Sequence, residues 1–541
     1  MNPAAHTLPG ERTRSFAACL TRHVVAAPDE AFLHEPGRSH SRAEVQAEVL
    51  RVATLLAARG ARRGERIALW LPNGIAWLVL FLACARLGLT VVALNTRFRS
   101  HEVGDIIARA GCRWLALQPG FRGIAFADIL QDVEPGQLAG LQALIAYHEP
   151  GIEPVPPAQI AGRPVLGYDT PAPGPAVAPA GRGDDGAILY TTSGTTAAPK
   201  LVLHDQHGLL QHGDAVARAL DIRAGDAVLL AAPLCGAFGF STALGALACG
   251  ARLVASASLD PAELAALIAA HGVTHGFANN ELIARVFDAA DAGGHSLASL
   301  RHLGFASFAP GLESLFERAA ARGIPLGGLY GSSELQALVA AQPLDAPDGE
   351  RRQAGGRLVA PDARLRVRDP DSGALLPRGE AGEIEILAPS LMRGYLDDPD
   401  ATARAVDADG WFRTGDLGHA LDDRHFVFHA RRGDALRLNG FLVHPAEIEQ
   451  VLAAHAGVAA AQAVGVVHGG HTVVVAFVLA PNGTAAPAEH ELLAHCAHRL
   501  ARFKVPRRVV FLDAFPVVQS ANSNKIQRHK LQEMARALLP A

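Results

Sequence analysis

A short run of hydroxyl residues around one glycine lies near the middle of the 541-residue chain, reading TTSGTTAAPK from Thr191 to Lys200. Glycine lets a backbone approach an anion closely, so N–H groups can point at phosphate oxygens. The hydroxyls add hydrogen bonds, and Lys200 adds a positive charge. The GxxxxGK[ST] spacing of a Walker loop is absent. On its own, the run fits either a polyphosphate-binding loop or an ordinary polar turn.

The elements around this loop alternate between strands and helices. The loop follows the apolar strand AILY, and a helix is predicted near 206–220. Earlier in the chain, RIALWLP and TVVALN have the pattern of strands, and AWLVLFLACARLG between them has that of a helix. This rhythm predicts βαβ units and a mostly parallel sheet, and therefore an α/β fold.

The later part of the chain has two different patterns. Residues 355–430 contain short strands and turns, which predict an antiparallel, barrel-like piece. After Gly433 the order becomes helix, strand, strand, helix, strand over about a hundred residues, a compact α+β unit. We therefore predict a large N-terminal domain of stacked βαβ sheets, 1–432, and a small C-terminal domain, 433–541.

Composition excludes several classes of protein. The 49% hydrophobic and 19% charged residues are typical of a globular protein. A net charge of −4 gives no general attraction to nucleic acid. The most apolar run, Ile75–Ala85, is too short for a bilayer core, which needs about 20 residues, and we predict a buried helix there. The start of the chain has no signal-peptide core, and the six cysteines form no CxxC pair, so we expect a cytoplasmic protein.

Several segments, in order, resemble those of the adenylate-forming superfamily, which contains acyl-CoA synthetases, firefly luciferase and peptide-synthetase adenylation domains. The loop TTSGTTAAPK is similar to the signature loop of that family, and YGSSE, from Tyr330 to Glu334, is similar to its YGxTE segment. The other matching segments are LPNGIAWLVLFLACARLG, GEI at 382–384, RGY at 393–395, WFRTGD at 411–416, Arg431, HPAEIE at 444–449 and NKIQR at 524–528. The resemblance covers almost the whole chain and implies that its C-terminal domain is a mobile lid.

The resemblance also implies roles for particular residues. Those implied to bind ATP are Thr192, Ser193, Gly194, Thr195, Thr196, Lys200, Tyr330, Gly331, Ser332, Asp416 and Arg431. Within this set Tyr330 would pack against adenine, and Asp416 would accept hydrogen bonds from the ribose hydroxyls. Glu334 would hold Mg²⁺, a hard cation that prefers oxygen ligands. Ser333 would contact the α-phosphate, and Lys525 would stabilise the charge that develops there during attack.

Two further groups of residues are implied for the acid and for the thiol. Cys235, Gly236 and Phe238 would form the acyl pocket, where Gly236 replaces a bulkier residue of the family and leaves a wider or deeper channel. Asn439, Gly440 and Phe441 would bind CoA after the lid turns about Gly433. Asn279 and Asn280 either line the pocket or cap the following helix, and capping is favoured.

The resulting expectation is an AMP-forming carboxylic acid–CoA ligase. It would use ATP, Mg²⁺ and CoA to convert a small carboxylic acid first to an acyl-AMP and then to a thioester. A medium- or long-chain fatty acid is favoured, and an aryl or alicyclic acid is the alternative. Loading of an acyl carrier protein and nucleotide binding without turnover are the competing hypotheses. No nucleic-acid partner is expected, and the oligomeric state is left open.

Overall fold

The computed structural model describes residues 13–148, 157–192, 199–306, 312–432, 436–438, 441–443, 445–468, 471–481, 486–500, 502–519 and 524–539. The α-helices in these ranges are α1 (Phe16–Ala26), α2 (Arg42–Ala58), α3 (Ile75–Leu87), α4 (Ser100–Arg109), α5 (Phe126–Gln131), α6 (Gln206–Ala219), α7 (Ala237–Cys249), α8 (Pro261–His271), α9 (Asn280–Gly293), α10 (Leu312–Ala321), α11 (Asp348–Arg351), α12 (Pro399–Ala405), α13 (Pro445–Ala453), α14 (Glu489–Ala497) and α15 (Arg528–Leu538).

The strands in the same ranges are β1 (Ala31–Glu35), β2 (Arg38–Ser41), β3 (Arg66–Trp70), β4 (Thr90–Ala93), β5 (Trp114–Leu117), β6 (Ala143–Ala146), β7 (Gln159–Ile160), β8 (Arg163–Gly167), β9 (Gly186–Thr191), β10 (Leu201–Asp205), β11 (Ala227–Leu230), β12 (Arg252–Ala255), β13 (His275–Asn279), β14 (His302–Ala306), β15 (Leu326–Tyr330), β16 (Ala340–Ala341), β17 (Gly355–Leu358), β18 (Arg364–Arg368), β19 (Gly382–Leu387), β20 (Gly394–Tyr395), β21 (Phe412–Ala420), β22 (His425–Arg431), β23 (Leu436–Leu438), β24 (Phe441–Val443), β25 (Ala460–His468), β26 (His471–Leu479), β27 (Arg508–Phe511), β28 (Val517–Gln519) and β29 (Asn524–Ile526).

The first large sheet has the strand order β20-β10-β9-β4-β3-β5-β6-β8-β7. Its strands are parallel from β9 to β8, whereas β10 is antiparallel to β9 and β20 is antiparallel to β10. Helix α3 is buried along almost its whole length, because it lies in the core beside this sheet. The predictions of βαβ units and of a buried helix at Ile75–Ala85 are confirmed.

The second large sheet has the order β18-β19-β21-β22-β17-β16-β15-β14-β13-β11-β12-β1-β2. It is parallel from β1 through β12, β11, β13 and β14 to β15, and antiparallel from β15 to β18. The antiparallel strands predicted for 355–430 are present, and they continue the parallel sheet through β15 and β16. Tyr330, the last residue of β15, therefore lies where the strand directions change.

The C-terminal elements form smaller sheets. Strands β25 and β26 make an antiparallel pair and β27 joins β26 in parallel, while β23–β24 and β28–β29 are two-stranded. Residues from α13 and α14 pack with β25 and β26 in one apolar cluster. These elements match the α+β unit predicted from the sequence. The predicted boundary residue, Gly433, lies outside the described residues, and the division at that position stays a prediction.

None of the described helices is both long and apolar enough to cross a bilayer.

Candidate active site

Strand β10 fixes both ends of the signature loop. Its first residue, Leu201, pairs with Thr191 on β9, and the Thr192 N–H donates to the Lys200 carbonyl at 3.0 Å. The loop is therefore closed at its base, with Thr192 and Lys200 side by side. Four of its predicted phosphate ligands, Ser193, Gly194, Thr195 and Thr196, lie outside the described residues, as does Ala197.

Three side chains form a connected unit beside the base of the loop. The Lys200 ammonium lies over the Tyr395 ring, 4.4 Å from the ring centroid. The Tyr395 hydroxyl donates to Glu334 Oε1 at 2.9 Å. The predicted phosphate-binding lysine and the predicted metal-binding glutamate therefore contact the same tyrosine.

The backbone around Glu334 is held by β10 and by the segment before β20. Ser333–Leu335 forms a 3-10 turn, and His204 Nε2 lies 2.8 Å from the Ser333 carbonyl oxygen. Burial lowers the pKa of His204 to about 3, so its imidazole is neutral, and Nε2 carries the proton because a carbonyl only accepts. The Glu334 carbonyl accepts from the Met392 N–H at 2.8 Å. These bonds fix the turn from both sides.

A second polar group lies where β21 and β22 pair. Their register places Asp416 opposite Arg431, and Arg431 Nε lies 3.0 Å from Asp416 Oδ1. The Tyr330 hydroxyl donates to the other carboxylate oxygen of Asp416. Burial raises the pKa of Asp416, and the positive charge of Arg431 only partly opposes this shift. The predicted ribose acceptor therefore contacts two other predicted nucleotide residues.

The Tyr330 ring is packed against two aromatic residues of β22. Its centroid lies 5.0 Å from that of Phe426, in an edge-to-face arrangement, and 5.9 Å from that of Phe428. The side chain is 9% exposed. Stacking of Tyr330 on adenine, which the resemblance implies, stays a prediction. Gly331 and Ser332 follow directly, between Tyr330 and the 3-10 turn.

The predicted acyl-pocket residues Cys235, Gly236 and Phe238 lie at the start of α7 and are buried. Asn73 holds the segment before them, since its side chain accepts from the Leu234 N–H at 2.7 Å and donates to the Ala232 carbonyl at 2.9 Å. Burial raises the pKa of Cys235 to about 12, which keeps its sulfur protonated. Cys235 therefore fits a wall residue and not a nucleophile.

Asn279 caps α9, because its side chain accepts from the Leu282 N–H at 2.7 Å. The preference for capping over pocket lining is confirmed at this residue.

The segment from Gln336 to Leu338, just after the 3-10 turn, has three successive non-glycine residues with φ of +65°, +44° and +35°. This left-handed backbone is unfavourable for residues with a Cβ. The Gln336 side chain is fully buried and accepts from the Tyr190 hydroxyl at 3.3 Å. Its Nε2 has no hydrogen-bond partner within the part of the chain that the structure describes. The segment therefore carries both strain and an unsatisfied donor next to the site.

Of the predicted lid residues, the structure describes only the backbone of two. Lys525 lies in β29 opposite Val518, and Phe441 begins β24 opposite Leu438; neither side chain belongs to the described part. Asn439 and Gly440 lie outside the described residues. The roles predicted for these four residues stay predictions.

Sequence reasoning gave no role to three residues that the structure places in contact with the site: His204, Tyr395 and Gln336. Tyr395 belongs to the RGY segment, so the resemblance of that segment to the family was the one indication that it lies near the site. His204 and Gln336 carried no signal, because their contacts join distant parts of the chain.

Comparison with known proteins identifies the family. A family model described as AMP-binding enzyme matches residues 20–396. The chain belongs to this family. A second model, described as AMP-binding enzyme C-terminal domain, matches residues 447–522. The resemblance to the adenylate-forming superfamily is thereby confirmed over both parts of the chain.

Relatives and solved structures agree with this assignment. The chain is 32% identical over 527 residues to the 3-[(3aS,4S,7aS)-7a-methyl-1,5-dioxo-octahydro-1H-inden-4-yl]propanoyl:CoA ligase of Mycobacterium tuberculosis (strain ATCC 25618 / H37Rv), covering 96% of this chain and 99% of the relative. It is 30% identical over 518 residues to 4-coumarate–CoA ligase 5 of Oryza sativa subsp. japonica, covering 93% and 91%. The crystal structure of ATP-bound MatB from Rhodopseudomonas palustris superposes with a TM-score of 0.81 at 26% identity, covering 97% of this chain and all of that one.

The AMP-binding enzyme described here is therefore an AMP-forming acid–thiol ligase of the acyl-CoA ligase branch, with ATP, Mg²⁺ and CoA as its cofactor and co-substrates. Glu334 fits a magnesium ion that arrives on ATP, because it offers one hard oxygen ligand and the phosphates supply others. The described residues contain no group of three or more His, Cys, Asp or Glu side chains that could hold a metal ion by themselves.

Proposed function

We propose that the enzyme joins a compact, ring-bearing carboxylic acid to CoA in two steps. In the first, an oxygen of the acid attacks the α-phosphorus of ATP, and the bond to the bridging oxygen breaks so that pyrophosphate leaves with the electron pair. In the second, the CoA sulfur attacks the acyl carbonyl, gives up its proton, and AMP leaves. This proposal rests on the contact of both Lys200 and Glu334 with Tyr395. That contact brings together a cation suited to the phosphates of ATP and a carboxylate suited to Mg²⁺.

The proposed division of labour follows the resemblance to the family, and it includes residues outside the described part of the chain. Lys200 binds the terminal phosphates together with the hydroxyls of Thr192, Ser193, Thr195 and Thr196. Ser333 contacts the α-phosphate, and Asp416, paired with Arg431, accepts from ribose. Lys525 stabilises the charge on the α-phosphate during attack, and the second step uses the segment Asn439–Phe441.

The proposed acid class rests on the burial of the predicted acyl-pocket residues at the start of α7, which we call the α7 wall. Cys235 is 8% and Phe238 9% exposed, whereas an open channel for a long alkyl chain would expose the residues that line it. In the same apolar core, Trp77, Phe81 and Phe240 pack against one another with ring centroids 4.7 to 5.7 Å apart. The sequence favoured a medium or long fatty acid because of Gly236; the buried wall instead favours a compact acid. The relatives named for 4-coumarate and for a bicyclic propanoyl group support the same choice.

We also propose that the enzyme works in the cytoplasm. The six cysteines are all free, and a reducing compartment keeps them so.

Acid-dependent exchange between ATP and labelled pyrophosphate tests the first step. The panel should contain cinnamic, benzoic and alicyclic acids beside straight-chain acids of increasing length. We expect exchange with ring acids and weak exchange with long chains, followed by thioester formation when CoA is added. If no acid supports exchange, the proposed function is wrong; if only long-chain acids do, the acid class is wrong and the reaction stands.

A second experiment addresses Lys525. The substitution Lys525→Ala should reduce exchange by at least about a hundredfold, since electrostatic stabilisation of a developing charge contributes on that order. The matched control is Lys530→Ala, on the exposed surface of α15, which should retain exchange. Equal rates in the two variants would remove Lys525 from the mechanism.

A further inference from the structure

Tyr395 is the meeting point of three segments that lie far apart in the sequence. Its ring faces the Lys200 ammonium, and its hydroxyl reaches Glu334. Tyr395 itself is only 8% exposed, whereas Glu334 is half-buried and Lys200 is exposed. Neither contact involves the backbone of Tyr395, so both depend on the identity of this side chain.

The backbone on both sides of Tyr395 is fixed to β10. The Arg393 N–H donates to the Leu203 carbonyl and the Leu396 N–H donates to the Leu201 carbonyl, each at 2.8 Å. The Tyr395 N–H itself donates to Thr402 Oγ1 at 2.9 Å. Because these bonds hold the backbone on both sides of Tyr395, they fix the position of its side chain relative to Lys200, which immediately precedes β10.

The hydrogen bond from Tyr395 occupies one oxygen of the Glu334 carboxylate. The hydroxyl donates to Oε1 at 2.9 Å, which leaves Oε2 for another ligand. A carboxylate that binds a metal through one oxygen and accepts a hydrogen bond at the other is held in one orientation.

We propose that Tyr395 is a positioning residue that sets the affinity of the enzyme for magnesium through Glu334 and preorganises Lys200 for the phosphates of ATP. This inference rests on the proposed function, because it assumes the roles given there to Glu334 and Lys200. Its two contacts have separable effects: the hydroxyl acts on the metal requirement, and the aromatic ring acts on the lysine.

The variants Tyr395→Phe and Tyr395→Leu separate these effects. Phenylalanine keeps the ring and removes the hydroxyl, so the Mg²⁺ concentration that gives half-maximal exchange should rise about tenfold, as for other hydrogen-bond partners of metal ligands. The KM for ATP at saturating Mg²⁺ should change little in that variant. Leucine removes the ring as well, so the KM for ATP should rise in addition by about threefold, the order expected when an exposed cation–π contact is lost.

Tyr168→Phe is the matched control. Tyr168 is also buried, with the Arg51 guanidinium 5.1 Å from its ring centroid, and it lies outside the site. Its variant should keep the Mg²⁺ and ATP dependence of the parent enzyme, whatever its thermal stability.

The readouts distinguish failure of this inference from failure of the proposed function. If the parent enzyme supports no acid-dependent exchange, the proposed function fails first. If the parent enzyme is active and Tyr395→Phe, shown to be folded by circular dichroism, keeps the same Mg²⁺ dependence within twofold, the positioning role is wrong. A variant that loses stability with unchanged Mg²⁺ dependence would likewise assign Tyr395 a structural role only.

Discussion

Asp416 combines two requirements that oppose each other. The role of ribose acceptor that we propose for Asp416 calls for an ionised carboxylate, yet Asp416 is 4% exposed, and burial disfavours its charged form. Arg431 and the Tyr330 hydroxyl stabilise the ionised form, but they do not cancel the effect of burial on its pKa. The ion pair places Arg431, at the end of β22, where its charge opposes part of the effect of burial on Asp416.

The affinity for ATP should therefore depend on the charge of Asp416. The substitution Asp416→Asn should raise the KM for ATP about tenfold or more, because hydrogen bonds to a charged acceptor contribute roughly 1.5–3 kcal/mol. In the parent enzyme the KM for ATP should rise as the pH falls toward the raised pKa of Asp416, because only the ionised form is the strong acceptor. This part of the pH dependence should disappear in Asp416→Asn.

Measurement of the KM for ATP by exchange, from mildly alkaline to mildly acidic pH, provides the check. Asp407→Asn is the control, since Asp407 pairs with Arg366 at 2.7 Å away from the nucleotide residues and should leave the KM for ATP unchanged. An Asp416→Asn enzyme with the KM of the parent would show that Asp416 does not contact the nucleotide.

At the scale of elements, β10 organises the site. It begins beside Lys200, holds the Ser333 carbonyl through His204, and pairs with β20, where Tyr395 lies. The helix after β10 could be predicted from the sequence, as could α3 and the strands β3, β4 and β9 of the first sheet, since each depends on local periodicity. The contacts of β10 could not be predicted, because His204 and Ser333 are 129 positions apart and no local pattern encodes that distance.

Removal of the His204 imidazole should loosen the Ser333–Glu334 turn. In His204→Ala the Ser333 carbonyl loses a buried donor, which should lower the free energy of unfolding by about 1–3 kcal/mol and reduce exchange. His302→Ala is the control, because His302 is equally buried, on β14. We expect both variants to lose stability. At a lower temperature, where both are folded, His302→Ala should recover its activity and His204→Ala should not. Equal activities in two folded variants would contradict a role for β10 in placing this turn.

At the scale of the whole molecule, the order of motifs in the sequence was sufficient to predict the fold class and the family. The TM-score of 0.81 to an enzyme only 26% identical shows that this architecture persists through extensive substitution. The acid was not predictable in the same way. The motifs that identify the family are those expected to bind ATP, whereas the proposed acyl pocket depends on how Cys235 and Phe238 pack in three dimensions.

The buried histidines should make the whole fold sensitive to acid. Burial lowers the pKa of His204 to about 3, that of His212 to about 4 and that of His302 to about 3, whereas the unfolded chain binds these protons near pH 6.5. The stability that they contribute is complete above about pH 6.5 and declines as the pH falls from there toward the folded values. The expected slope is up to about 1.4 kcal/mol per pH unit for each histidine.

Urea denaturation at neutral pH and at about pH 5.5, one unit below the pKa of an unperturbed histidine, measures how the free energy of unfolding changes with pH. In His302→Gln, which cannot take up the proton, the loss of stability between the two conditions should be smaller by about 1 kcal/mol. A variant with the same loss as the parent chain would show that His302 is not a source of the acid sensitivity.

The left-handed run Gln336–Leu338 also has a consequence for how this enzyme can change over time. Because three residues there already occupy an unfavourable backbone conformation, replacement of Gln336 by glycine would relieve strain of roughly 1 kcal/mol while removing the bond to Tyr190. The three residues are also buried, at 0%, 7% and 1% exposure, much as the residues of α3 are. Variation in this run is therefore constrained twice, by a backbone conformation that favours glycine and by the close packing of the core around it.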